Sequence, residues 1–588
     1  MPKWHKNMQQ ETKKCQNCKQ DFIIEPDDFA FYEKMKVPPP TFCPECSLRF
    51  RLAVRNDRTL YKRKCNAPGH SEDIIATHYA DAPFTVYDEK YWWSDAWDPL
   101  DYGKEYNFNK NFFVQFRELL ESVPVANLST KGCTDCQYCN VMVDAKNCYF
   151  SFGSGFNEDV MYSYILNTSR NCLDCSMSMK LESSYESVDS DHSSGLHFCQ
   201  NAVDCINSAF LFNCRNCSDC FACINLRNKS YCIFNQQHSK DDYKKKLLEL
   251  DLGSFTSLEK IKKEVQDFYL KNIFISNIAV RSVNVSGHNI FNSKNCQNCF
   301  DIFEGVEDGK NLFIFRNHSK DIRNSNSGGW NSELIYEGIS IIRSARVKFS
   351  AFCWDNREIE YCDTCHNCAH LFGCTGLRNK QYCILNKQYT KEEYEKLVPK
   401  IIAHMNSMPY TDKKGRVYKY GDFFPIELSP FSYNESSVQQ FFPLTKNEII
   451  DKGYNWKEPE ERHYNISLLP ENLPDRITET KEDVLKEVIG CAHEGKCSEQ
   501  CTGAFKIIPE ELRFYRQHNL PLPRFCPNCR YYQRMQKRNP LKLWHRQCMC
   551  NKQHSHHGGR CPNEFETSYA PDRPEIVYCE QCYQQEVA

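Results

Sequence analysis

Short apolar stretches separated by polar corners dominate the middle of the chain. Tyr149–Phe152, Val160–Ile165, Ala209–Phe212 and Leu312–Phe315 are β-prone pieces bounded by Asn-Cys, Asn-Ser or Gly. Asn-Cys itself recurs at 147–148, 171–172, 213–214, 216–217, 295–296, 298–299 and 367–368. Short strands with a recurring corner suit a chain that stacks coil on coil, and the pattern predicts a parallel β-solenoid over about 125–385. The spacing is uneven, so an array of β-sandwiches is the competing architecture. Helical patterns are fewer: Ser239-x-x-Asp242 and Thr390-x-x-Glu393 open two helices as capping boxes, and Glu25–Met35 is compatible with another. Residues 1–15 lack the apolar core of a signal peptide, and no apolar run reaches the roughly 18 residues of a membrane span. The expectation is a soluble, cytoplasmic protein with no membrane contact.

Two internal repeats organise the chain. Residues 22–65 align without a gap to 505–548 with 17 of 44 positions identical, among them Phe42-Cys43-Pro44, Cys46, Arg55-Asn56 and Cys65. One module is therefore used at both ends. Residues 226–243 align to 377–394 with 11 of 18 identical, each copy closing a strand-rich unit with a helix. The expected division is 1–104 for an N-terminal module ending in an aromatic seam, 105–405 for the Cys-rich solenoid-like domain and 406–485 for a surface linker rich in Pro and aromatic residues. Residues 486–588 make the C-terminal module. The fold class is multidomain and mainly β, with α+β terminal modules flanking a central parallel solenoid that carries helical insertions.

Composition changes this picture in one respect: 36 of 588 residues are Cys. In a reducing compartment, C-x2-C pairs serve as metal ligands more often than as disulfides. Cys15-x2-Cys18 and Cys43-x2-Cys46 supply four soft thiolates for a closed tetrahedral Zn2+ site, which argues for structure rather than catalysis. The C-terminal copy offers Cys497, Cys501, Cys526 and Cys529, with Cys491 and His493 close enough in sequence to substitute. A further site joins Cys579 and Cys582 to Cys561 and one of Cys548 or Cys550, here Cys550, with His554, His556 and His557 competing. Its counterpart is lost from the N-terminal module, where Tyr91, Trp92 and Trp93 stand instead. The expected load is two to three zinc ions. The 21 cysteines from Cys133 to Cys383 read as a buried structural ladder, with a further zinc or iron-sulfur site as the alternative.

Residues 13–46, KKCQNCKQDF through FCPEC, resemble a zinc-ribbon domain, and the whole chain resembles a family of long Cys-rich proteins from candidate-phyla (Patescibacteria-type) bacteria. Matching stretches are LYKRKC (60–65), YWWSDAWDPLDYG (91–103), the two LRNK repeats, YGDFFPIELSPFSYNE (420–435) and SYAPDRPEIVYCEQCY (568–583). The resemblance implies zinc ribbons and supports Cys15, Cys18, Cys43 and Cys46 as ligands. It implies no activity.

Net charge is −2, so a nucleic-acid surface requires local segregation of charge. Residues 49–64 carry a net +6, and the matching 530–546 also carry +6. Arg51, Arg55, Arg534 and Arg538 are accordingly candidates for RNA or DNA phosphates. The expected function is a zinc-binding module for nucleic acid or a ribonucleoprotein. A protein-interaction scaffold built on the solenoid is the alternative, and a β-helix enzyme acting on carbohydrate through Asp189, Asp191 and His192 is a weaker third. No Walker A, G-x-S-x-G or dinucleotide fingerprint occurs.

Overall fold

Two parallel sheets form the centre of the molecule. The computed structural model describes residues 9–460 and 463–587. The expected outer limits at 1 and 588, and two positions of the 406–485 segment, lie outside the described residues. A 12-stranded sheet runs from Thr130 to Gln237 and an 11-stranded sheet from Ala279 to Gln388. In the first sheet each strand pairs with the chain 12 residues on, as Asn140 with Phe152, Tyr164 with Ser176 and Ala209 with Phe221. Isolated parallel bridges such as Thr134 to Lys146 and Gln137 to Tyr149 keep the same step between the strands.

A three-residue unit explains this regularity. From Cys139 to Cys223 every third residue is buried, and the residue before each has φ between 45° and 65°. That left-handed backbone is costly for most L-residues and cheapest for Gly, Asn and Asp. The Asn-Cys pairs follow directly: asparagine takes the corner and cysteine goes inward. Inward Ser and Cys make the same contacts. Ser187 Oγ lies 3.4 and 3.3 Å from the carbonyls of Tyr185 and Leu196, and Cys214 Sγ lies 3.5 Å from those of Phe212 and Cys223. These thiols act as small buried groups with a weak donor.

The second sheet is less regular. Its step is 13 residues from Lys294 to Glu333 and 12 thereafter. Gly287, at φ 135°, sits where the register shifts; a Cβ there would lie 1.7 Å from the Cys299 carbonyl oxygen. An asparagine ladder runs across this sheet, Asn298 to Asn311 to Asn324 at 2.8 Å per step, and ends on Glu337 at 3.4 Å. Both sheets close with an antiparallel strand pair and a capped helix, Lys240–Glu249 and Lys391–Ser407.

The terminal modules match element for element. Each has a hairpin, two helices, a second hairpin, a short strand and a last helix. The second helices, Pro44–Ala53 and Pro527–Gln536, both start with Cys at the N-cap and Pro at the first turn, where proline's missing N–H costs nothing. The short strand Val86–Tyr87 pairs with Val125–Ala126, just ahead of the first sheet, and Ile576–Tyr578 pairs with Ile273–Ile275, just ahead of the second. Docking is crossed. The helix Pro44–Ala53 lies on the second sheet, with Arg51 Nε donating to Asn326 at 2.9 Å, and Pro527–Gln536 lies on the first, with Arg534 reaching Asp174 at 2.6 Å.

The 406–485 segment lies on the surface as expected only in its later part, where Tyr464, Ile466 and Leu469 are exposed; its earlier part is not a surface wrap. Tyr418, Ile426, Tyr433 and Val438 are buried in the same core as the N-terminal module, and Ser429 Oγ donates to the Ala53 carbonyl at 2.9 Å. Among the described residues no helix is long and apolar enough to cross a membrane.

Candidate metal centres

The sulfurs of Cys15, Cys18, Cys43 and Cys46 lie within 4.8 Å of one another. Cys15 ends the strand Glu11–Lys14, and Cys43 and Cys46 occupy the N-cap and first turn of Pro44–Ala53. Cys18 and Cys43 are 3.7 Å apart, close to the edge of about 3.8 Å that four sulfurs make around zinc at a bond length of roughly 2.3 Å. The Cys43 N–H donates to Cys15 Sγ at 3.3 Å and Asn17 Nδ2 to Cys46 Sγ at 3.2 Å, the outer hydrogen bonds that orient thiolate ligands. Among themselves the thiols share charge unevenly: hydrogen bonds from Cys43 and then Cys46 hold Cys15 well below the ordinary thiol range, while those with Cys15 and Cys46 push Cys43 up. A divalent cation would let all four ionise together.

In the C-terminal module the four sulfurs brought together are those of Cys491, Cys501, Cys526 and Cys529. This revises the set read from spacing. Cys491 follows the strand Ile489–Gly490 as Cys15 follows its own, and the Cys526 N–H donates to Cys491 Sγ at 3.3 Å, the counterpart of the Cys43 to Cys15 bond. Cys497, taken as a ligand from its proximity to Cys501, lies in the intervening insertion, partly exposed and 3.7 Å from Cys529. From spacing Cys491 is only a substitute ligand; the signal that could rank it above Cys497 is the strand it follows, since the knuckle itself is interrupted.

A third tetrad, Cys548, Cys561, Cys579 and Cys582, is wholly buried. Cys548 takes the fourth place there. Cys550 instead groups with His554, His557 and Cys582. In the N-terminal copy Cys65 remains with His70 near it in sequence, Tyr91 stands at the position of Cys582 with its ring 5.0 Å from that of His70, and the adjoining Trp92 is 1 % exposed.

Of the four arginines expected to meet phosphates, Arg51, Arg55 and Arg534 are buried and the Arg538 side chain is 7 % exposed, which corrects that assignment. Arg51 is fully enclosed, with Nη1 3.6 Å from Glu337; Arg55 Nε lies 2.6 Å from Asp57. Arg534 pairs with Asp174, and Arg538 bridges Asp189 at 2.9 Å and Asp301 at 2.5 Å. The rest of both segments is also engaged: Arg58 lies 3.5 Å over the Tyr531 ring, Lys62 and Lys64 meet Asp73, Arg530 meets Asp174 and Glu511, and Lys537 meets Glu186. Most of the charge in the two +6 segments meets carboxylates of the sheets and of the modules themselves, whereas Arg63 and Arg546 donate to backbone carbonyls and Lys542 lies over the Trp544 ring. Asp189, offered as half of an acid–base pair, is an anchor for Arg538, and Asp191 pairs with His192 at 2.9 Å.

Two openings lie between the sheets. One, of about 450 Å³, is lined by Asp189, His288, Asp301, Lys537 and Arg538; the other, of about 340 Å³, is an apolar groove lined by Val141, Phe156, Ile165, Trp330, Ile342 and Trp354. No family model matches the chain, and neither a curated protein nor a solved structure matches it.

Proposed function

We propose that this protein is a zinc-held scaffold: two zinc-ribbon modules clamp a pair of β-solenoids, and the assembled surface binds protein partners. What carries this reading is the crossed docking of the cysteine tetrads' own helices. The helix that begins at Cys43 inserts Arg51 beside Glu337, and the helix that begins at Cys526 inserts Arg534 beside Asp174. A metal that fixes the start of each helix thereby fixes where its arginine enters the opposite sheet. In the first sheet the constant step of 12 residues, with a buried residue and a left-handed corner in every triplet from Cys139 to Cys223, supports closed solenoid coils. All-sulfur tetrads suit Zn2+, and closed four-thiolate sites leave no open position for substrate. The groove between the sheets, with Phe156 exposed, is where such a scaffold would take a partner's apolar side chains.

The burial of Arg51, Arg55 and Arg534 and the ion pairs of Arg538 count against the four phosphate contacts assigned to the nucleic-acid alternative. The test is to purify the full chain without chelator and measure metal per chain. Zinc should be found, and Cys43→Ser and Cys526→Ser should each remove one ion and expose the matching helix to protease. Metal content unchanged in both variants would overturn the reading, and retention of RNA or DNA at low salt would restore the alternative.

A further inference from the structure

The C-terminal module offers more ligands than one ion can take. Beside the tetrad of Cys548, Cys561, Cys579 and Cys582, four ligand atoms from Cys550, His554, His557 and again Cys582 lie within 4.8 Å of one another. The second group is built by a tight turn. His554 and His557 exchange backbone hydrogen bonds of 2.9 and 3.3 Å, which holds their rings 5.2 Å apart.

His557 shows how the group is poised. Its Nδ1 lies 2.9 Å from the Gly559 carbonyl, which can only accept, so Nδ1 carries the proton and Nε2 presents a bare lone pair. That Nε2 stands 3.1 Å from Cys582 Sγ. Between that lone pair and the sulfur lies either the thiol's own proton or a cation, and once Cys582 ionises as a ligand of the tetrad only a cation fits. His554 is a second, independent sign. Its side chain is 6 % exposed, and its Nε2 makes no hydrogen bond while facing the Glu586 carboxylate at 3.5 Å. A carboxylate behind an imidazole is the usual surrounding of a metal-bound histidine, whose other nitrogen faces the ion. Lys552 in turn holds Glu586.

We propose that the C-terminal module binds two divalent ions that share the Cys582 thiolate. The first ion takes Cys548, Cys561, Cys579 and Cys582; the second takes Cys550, His554, His557 and the same Cys582. This inference rests on reading the tetrads as metal sites. The charge balance favours it: five thiolates crowded around one divalent ion leave a net −3, whereas a second ion with two neutral imidazoles brings the cluster to −1. Loading the second ion displaces the proton of Cys550 and adds no redox step. His556, whose Nε2 lies 3.4 Å from Cys582, is a neighbouring imidazole that belongs with the same cluster. The N-terminal module has none of these extra ligands.

The full-length chain, loaded with Zn2+ and weighed by native mass spectrometry, should carry four ions. His554→Ala/His557→Ala and Cys550→Ser should each carry three, and Cys582→Ser two. Loaded with Co2+, the native protein should show an antiferromagnetically coupled pair through the thiolate bridge, and the double histidine variant should lose that coupling. Three ions in the native chain, unchanged in the histidine variant, would overturn the second ion and leave one ion with surplus ligands. Four ions without coupling would overturn the bridge. An empty Cys15 tetrad would instead overturn the metal reading on which the pair rests.

Discussion

The two terminal modules share a chain path and differ in what holds their second halves. Each keeps a backbone hydrogen bond to the one sulfur they have in common there, Asp88 N–H to Cys65 Sγ and Cys579 N–H to Cys548 Sγ, both 3.2 Å. Around that bond the C-terminal module gathers Cys550, Cys561, Cys579, Cys582 and three histidines. The N-terminal module gathers Tyr91, Trp92 and Trp97, with Trp92 Nε1 donating to the Pro124 carbonyl at 2.9 Å. Ligands that could hold a metal stand in one copy where buried aromatic area stands in the other, and the backbone path survives the exchange.

Removing metal is the largest perturbation of this pair, on the order of 10 kcal/mol per closed site. With a strong chelator the first halves of both modules should open. In the second halves, residues 544–587 should open while 61–102 stay protected. Hydrogen exchange followed peptide by peptide checks this, and equal loss of protection in 61–102 would break the comparison.

Docking offers a smaller contrast. Arg51 and Arg534 occupy equivalent positions, but their carboxylates are not equally served. Glu337 has Arg51, a 2.8 Å bond from Ser47 and the weak end of the asparagine ladder; burial raises its carboxyl and lowers Arg51, so each depends on the other to stay charged. Asp174 has Arg530 at 3.1 Å besides Arg534. Arg51→Ala, which strands a buried carboxylate, should therefore cost about 3–5 kcal/mol, and Arg534→Ala less, about 1–3 kcal/mol. Thermal denaturation of both variants with zinc content held equal decides it; the reverse order would mean that Arg530 does not share the load.

The sequence carried much of this in local signals and little of it in distant ones. Four thiols spaced as Cys15, Cys18, Cys43 and Cys46 are legible because both knuckles are short and continuous. The Asn-Cys pairs are legible because a left-handed corner and an inward thiol are properties of adjacent residues. Cys491 is legible only as a substitute ligand, since an insertion separates it from Cys501 and the strand before it is what marks its place. The arginines misled for a related reason: a +6 segment looks the same whether its counter-charges are phosphates or carboxylates, and Asp174, Asp301 and Glu337 lie hundreds of positions away. The 406–485 segment lacks a helical or strand period, so its buried tyrosines gave no sign that they complete the N-terminal core.

Acid should separate the modules as well. His78 is buried between the Phe84 and Phe431 rings, and burial, with Arg63 and Arg117 nearby, lowers its pKa to about 3. Unfolded, it titrates near 6.5. The unfolded chain therefore binds the extra proton between these values, so His78 contributes stability that is complete above about 6.5 and is lost as pH falls toward 3. The slope is at most about 1.4 kcal/mol per pH unit. His78→Phe should flatten the acid limb of N-terminal unfolding by up to that amount without changing when zinc leaves the C-terminal module, where thiolate protonation releases the ion. An unchanged slope would mean that His78 is protonated in the folded protein.

The smallest expected effect tests the equivalence of Cys491 and Cys15. If the chain path defines the site, Cys497→Ser changes an insertion that the other module lacks, and its cost should stay within the ~0.5 kcal/mol typical of a surface substitution. Its thiol is partly exposed and lies 3.7 Å from Cys529. Cys491→Ser removes the acceptor of the Cys526 N–H together with a ligand, so it should lose one zinc ion and loosen Pro527–Gln536 as Cys15→Ser loosens Pro44–Ala53. Metal content per chain, measured on the two single variants side by side, separates the cases. Loss of zinc from Cys497→Ser with Cys491→Ser still loaded would show that the ion follows the short spacing to Cys501 rather than the strand, and the two modules would then be related in sequence without sharing a ligand geometry.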